Sequence, residues 1–203
     1  YAANSGRNLV LIFYPDGTPL QTVRGGAGRR LQGPSHLAVD SDGNLYVAES
    51  KTLRILKFDA KGRLRKAWGR KGTGEGEFAS LSGLAVGPDA SVYVADTSLR
   101  RVQRFTLDGA MEAALPAVDS SGRPVSSLDG IAVSSRFIIS ADPVAHRLYA
   151  WTLDGRLIHQ EDLTGRVGAG EFKTPRGAAL SPNRELFTLN PASGRVLRFR
   201  INF

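Results

Sequence analysis

The chain has 203 residues, 41% of them hydrophobic and 23% charged, with a formal net charge of +8. That length can bury a sizeable core in one domain or one repeat array, and no apolar run approaches the ~20 residues a membrane-spanning helix needs. The absence of cysteine excludes disulfides, thiolate zinc sites and cysteine nucleophiles, while the basic balance points to acidic partners such as nucleic acid, anionic surfaces or acidic proteins.

Taken in chain order, the predicted elements repeat. "YAANS" (1–5) reads as a strand, followed by "LVLIF" (9–13), the turn "PDG" (15–17) and "PLQTV" (19–23). The next unit brings "LAVDSDGN" from Leu37, "YVAES" (46–50), "RILKF" (54–58), the turn "AKG" (60–62) and "RLRKAW" (63–68). The phrases return as "LAVGPDAS" from Leu84, "YVADT" (93–97), "RVQRF" (101–105) and "LDG" (107–109). They return again as "IAVSSRFI" from Ile131, "ISADP" (139–143), "RLYAW" (147–151) and "LDG" (153–155). The last set is "AALSPNRE" from Ala178, "FTLNP" (187–191) and "RVLRF" (195–199).

Leu37, Leu84, Ile131 and Ala178 are spaced by 47 residues each time. Their runs are rich in Val, Ile, Leu, Tyr and Phe, and they are separated by Gly, Asp, Pro and Ser, which is strand and turn chemistry. A weaker fourth run follows each Gly turn. Four strands at this period predict a β-propeller blade. An α-solenoid would need a 3.6-residue period, and these runs alternate instead. Gly83, Ala85, Gly130 and Ala132 keep the first strand of each unit small, as crowding near a propeller axis requires.

The stretch "GEGEFASLSGLAVGPDASVYVADTSLRRVQRFTLDG" (74–109) closely resembles the NHL repeat. The unit at 170–199 keeps "GEF" and "TPRGAAL", and that at 33–62 keeps "GPSHLAVDSDGNLYVAES". The unit at 122–155 is worn, with "SSRFIISAD" in place of the turn and second strand. The resemblance covers essentially the whole chain and implies an all-β, NHL-type β-propeller, a family whose propellers usually close with six blades. The expected units are 1–26 (partial), 27–73, 74–120, 121–166 and 167–203 (partial), one propeller domain of about four and a half blades. These give 18 strands where six blades need 24, so the expectation is an arc of repeats with about one and a half blades outside this sequence.

Blades are up-and-down sheets, so their loops sort by parity onto two faces. The inter-blade and second-to-third-strand loops hold 17 Lys and Arg against 11 Asp and Glu, and the opposite turns hold 5 against 7. The positive excess is therefore sided. The repeated Arg54, Arg101, Arg147 and Arg195 recur beside the acids Glu49, Asp96 and Asp142, a pattern read as an acid–Arg structural brace. The non-repeated cations carry the functional expectation: Arg29, Arg30, Arg70, Lys71, Arg123, Arg166, Lys173 and Arg176 as partner-binding residues. Arg24 and Lys66 belong to the same irregular charge.

The resemblance places one residue per unit around the mouth of the central channel: Ser35, Ser82, Asp129 and Arg176, with His36 beside Ser35. Related propeller enzymes, such as the peptidyl-amidoglycolate lyase and gluconolactonase-like lactonases, hold a metal near the axis. His36, His146 and His159 occupy different positions in their units, and Asp129 is the one acid at the mouth, so no metal, cofactor or catalytic residue is assigned. No nucleophile-elbow, Walker or zincin motif occurs. "GRKGTGEGEF" (69–78) precedes a strand, not a helix, and reads as an inter-blade loop. Single-stranded RNA binding would want aromatic platforms beside the charge, and Trp68 near Arg70 and Lys71 is the one candidate, although it also suits the end of a fourth strand.

The expected function is a non-enzymatic platform that binds a protein, or another acidic surface or ligand, through the basic face. A metal-dependent lyase or lactonase with an axial site is the first alternative and RNA binding the second. The non-methionine start and the lack of cysteine point to a secreted or periplasmic location.

Overall fold

The computed structural model describes residues 1–164, 174–181, 183, 185–191 and 193–201. Arg166 and Lys173, two of the expected binding residues, lie outside them. The described residues form strands and turns with no helix.

The first sheet holds β1 (Ala2–Asn4), β2 (Leu9–Phe13) and β3 (Pro19–Val23), and a short hairpin of β4 (Gly25–Gly26) and β5 (Arg29–Arg30) follows. The second sheet is β6 (Pro34–Val39), β7 (Leu45–Glu49), β8 (Arg54–Phe58) and β9 (Leu64–Trp68). The third is β10 (Leu81–Val86), β11 (Ser91–Asp96), β12 (Arg101–Thr106) and β13 (Met111–Pro116). The fourth is β14 (Asp129–Val133), β15 (Phe137–Asp142), β16 (Arg147–Thr152) and β17 (Leu157–Asp162). The fifth is β18 (Arg176–Leu180), β19 (Glu185–Asn190) and β20 (Arg195–Arg200). Within each sheet the strands are antiparallel neighbours in chain order.

The first strands pack β6 on β10 on β14 on β18, so the sheets stand side by side around one axis as propeller blades. Among the described residues the blades hold eighteen strands, in sheets of three, four, four, four and three. The worn unit also folds. Ser134 and Phe137 close a tight turn there, with the Ser134 hydroxyl accepting from the Arg136 and Phe137 amides.

One hydrophobic cluster fills each space between consecutive blades. Val10, Ile12 and Val23 meet Leu45, Val47 and Phe58; Tyr46, Ile55 and Phe78 meet Leu84, Val94 and Phe105. The next two clusters repeat the arrangement around Trp151 and around Leu186. The second strands β7, β11 and β15 are buried throughout because blades stack on both their faces, and the outer strands β9, β13 and β17 are half open. Trp68 stands in this packing, its ring 6.3 Å from that of Tyr46 and 6.1 Å from that of Phe105. It therefore packs, half-buried, against the core cluster as the end of a fourth strand.

Near the axis the backbones come very close. Gly130, at φ +70°, leaves no room for a side chain: a Cβ there would lie 2.5 Å from the Gly177 Cα. The residue before each third strand repeats in another way, since Asn8, Leu53, Arg100, His146 and Gly194 all take positive φ. This accounts for the position of His146, whose Nδ1 accepts the Thr174 amide.

The acid–Arg brace is corrected. Glu49, Asp96 and Asp142 do face Arg54, Arg101 and Arg147 across the ladder, yet among the described residues no ion pair joins them. The acids are buried and accept backbone amides of the segment entering the same blade. Glu49 takes Gln32 N–H at 2.7 Å and the Thr52 hydroxyl. Asp96 takes the amides of Ala79, Ser80 and Leu99, and Asp142 those of Ser126, Ser127, Val144 and Ala145. A charged acceptor matched to several main-chain donors is satisfied without a cation.

Candidate functional site

At the expected channel mouth, Ser35 and Ser82 donate to carbonyls of their own blades, Ala48 O at 3.2 Å and Ala95 O at 3.3 Å. His36 Nδ1 lies 3.0 Å from the Ser35 hydroxyl. Asp129 Oδ2 accepts from the Arg176 guanidinium at 2.6 Å, and its Oδ1 accepts the Gly177 amide at 2.9 Å. These contacts tie the fourth blade to the fifth. Arg176, expected both to bind a partner and to line the mouth, is thus engaged within the chain. Among the described residues no group of three His, Asp or Glu lies close enough to hold a metal ion.

Burial holds the His36 imidazole below its ordinary value of 6.5, against an opposing pull from the Asp129 carboxylate. The unfolded chain therefore binds that proton more readily than the folded one. The stability His36 contributes is full above 6.5 and falls as the pH drops through it. Acidification through this window should lower the urea midpoint of the native chain, and His36→Gln should reduce the slope. Identical slopes for the two proteins would contradict the assignment.

The cations expected on a basic face differ sharply in what they touch. Arg70 is tied to Glu77 at 2.8 Å, an exposed pair that also folds the inter-blade loop, because Glu77 takes the Gly74 amide. Lys71 and Arg123 are exposed, and Arg123 closes a turn through its main chain only, on Asp119. Arg29 and Arg30 are exposed, and among the described residues neither guanidinium makes a hydrogen bond or ion pair. They stand on β5, paired with β4 as Gly25↔Arg30 and Gly26↔Arg29.

The hairpin forms because Ala27 and Gly28 both take positive φ, 52° and 76°, as the tight primed turns of two-residue hairpins require. Gly25 is needed for closeness, since a Cβ there would lie 2.1 Å from the Arg29 carbonyl oxygen. This hairpin is an element that the sequence reading missed, and "GGAGRR" (25–30) carried its signal.

Arg29, Arg30 and Gln32 border two adjoining concavities. One is a slot of about 130 Å³ between the hairpin and the second blade, reached also by Arg54, Leu56 and Leu64. The other is an open hollow of about 440 Å³, with Asn8, Leu31 and Lys51. A cavity of about 670 Å³ lies elsewhere. It opens at the far end of the axis, over Val39, Val86, Val133 and Leu180, which hold one repeat position in four blades. It is the axial funnel of the fold. On its face the acids are largely answered: Asp59 holds Arg63 and Arg65 and stays well below the usual carboxylate range, chiefly through the Arg63 amide. Lys57 reaches Asp108 at 3.0 Å.

The family described as "6-bladed beta-propeller" (DUF5128) matches residues 30–122. No curated protein matches the sequence. Among solved structures, a catalytically inactive virginiamycin B lyase from Staphylococcus aureus, with quinupristin, aligns over 98% of this chain and 65% of its own at 15% identity and TM-score 0.66. Glutaminyl cyclase from Myxococcus xanthus aligns over 91% of this chain and 77% of its own at 16% identity and TM-score 0.61. A streptogramin B lyase structure gives 99%, 64%, 14% and 0.62 in the same order. The chain thus spans about 65% of the virginiamycin B lyase chain. At these identities the likeness establishes the β-propeller fold.

Proposed function

We propose that this β-propeller is of the NHL type and is a non-enzymatic platform that binds an acidic protein segment through a basic face, with Arg29 and Arg30 at the centre. The observation that carries the reading is the contrast among the arginines. Arg70 and Arg176 have protein acceptors, whereas Arg29 and Arg30 stand exposed on a hairpin with none among the described residues. An exposed cation without a partner costs the fold nothing to offer to a ligand, and irregular loops on a rigid scaffold are where binding residues concentrate. Packing of the half-buried Trp68 against Tyr46 and Phe105 reduces the stacking surface that single-stranded RNA would favour.

The test uses labelled hexaglutamate as the acidic segment. Arg29→Glu with Arg30→Glu should weaken its binding by about tenfold or more and flatten its salt dependence, because such charges steer encounter and are screened within about 8 Å at physiological salt. Asp16→Lys with Asp154→Lys, on the opposite face, should change little. Unchanged binding by the arginine variant would refute the platform.

A further inference from the structure

The 47-residue period allows two inter-blade loops to be compared position by position. In the loop before the third blade, Gln103 is buried and fastens the loop from below: its Nε2 donates to Glu77 O at 2.8 Å and its Oε1 accepts the Gly76 amide at 2.8 Å. Arg101 adds bonds to the carbonyls of Gly74 and Glu77. Glu77 itself holds Arg70 and the Gly74 amide. One repeat earlier, Gln103 is replaced by Leu56, Glu77 by Arg30 and Gly76 by Arg29, while Arg101 remains as Arg54. The clasp is gone. Among the described residues the half-buried Arg54 guanidinium makes no hydrogen bond, and the slot of about 130 Å³ lies where the clasp would be.

From this we infer that the slot under the β4–β5 hairpin is a carboxylate-binding site for a Glu or Asp side chain of an acidic peptide. The inference rests on the platform reading and names the ligand chemistry of that same face. Arg29, Arg30 and Arg54 all line the slot, and a planar carboxylate can take paired N–H donors from guanidinium groups. Glu49 also borders it, with one oxygen on the Gln32 amide and the other on the Thr52 hydroxyl. The local balance of three cations and one anion suits a monoanion better than a phosphate. Leu56 and Leu64 form apolar walls for the methylenes of a glutamate. The hollow with Asn8 and Lys51 continues outward from the same arginines and accommodates the rest of the peptide.

The full chain is titrated with labelled hexaglutamate. Arg54→Leu should weaken binding about tenfold, the size expected for losing one charge-assisted hydrogen bond, while Arg136→Ala, exposed at the opposite end of the axis, should bind as the native chain does. A second variant, Leu56→Gln with Arg30→Glu, rebuilds the clasp seen around Gln103 and should close the slot, abolishing binding while preserving or raising the thermal midpoint. Native-like binding by both slot variants, with Arg29→Glu/Arg30→Glu still defective, would overturn the slot and leave the platform standing. Native-like binding by all three would overturn both. Displacement of the label by oligouridylate at lower concentration than by unlabelled hexaglutamate would overturn the carboxylate assignment in favour of RNA.

Discussion

Asp96→Ala should lower the unfolding free energy of the chain by roughly 3–5 kcal/mol, because it strands several buried main-chain donors at once. The carboxylate is fully buried at the end of β11 and accepts Ala79 N–H at 2.7 Å, Ser80 N–H at 3.1 Å and Leu99 N–H at 3.1 Å. Two of these donors belong to the segment that enters the third blade, and the third closes the β11–β12 turn. Alanine offers none of them an acceptor, and no water reaches the site without opening the loop. Asp96→Asn keeps one carbonyl oxygen and should fall between the two proteins. Urea unfolding followed by tryptophan fluorescence measures this. A loss no larger than that of an ordinary surface substitution, within about 0.5 kcal/mol, would refute the role given to the buried acid.

Gly130→Ala should be nearly as damaging, by about 3 kcal/mol or more, since backbone strain and overpacking add at one position. The residue sits at φ +70°, and the new methyl would lie 2.5 Å from Gly177 Cα and 2.8 Å from Ala178 N. Main chain cannot step aside as a flexible side chain can, so β14 and β18 would have to separate. Gly122→Ala is the control, with φ +75° but open space around the added Cβ. It should show only the conformational penalty, about 1–2 kcal/mol. Equal losses for the two variants would mean that close packing at the axis contributes nothing.

The repeat was legible because its causes are local. Alternating apolar runs, the Gly turns and a constant spacing each leave a mark on the sequence, and the blades follow from them. What stayed hidden depends on contacts between segments. Arg70 looked free until its loop folded and brought Glu77 to it. Arg54 looked like a repeated structural residue because its neighbours had to be compared in space before the loss of the Gln103 clasp became visible. The recurring acids were recognised as structural, but their donors are amides, which every residue carries and no sequence pattern displays. The hairpin at 25–30 was overlooked for a simpler reason: two-residue strands have no periodicity to read.

Those amides have a consequence for how such a molecule can change. Gln32, Ala79, Ser80, Ser126 and Ser127 are anchored by the same kind of acid through their amides, with no part played by their side chains. Their attachment is indifferent to side-chain identity. The loops of this face can therefore be rewritten, by drift or by grafting, while the blades beneath keep their register. At residue 32 the contact with Glu49 needs only a donor N–H, so proline is the one residue it refuses.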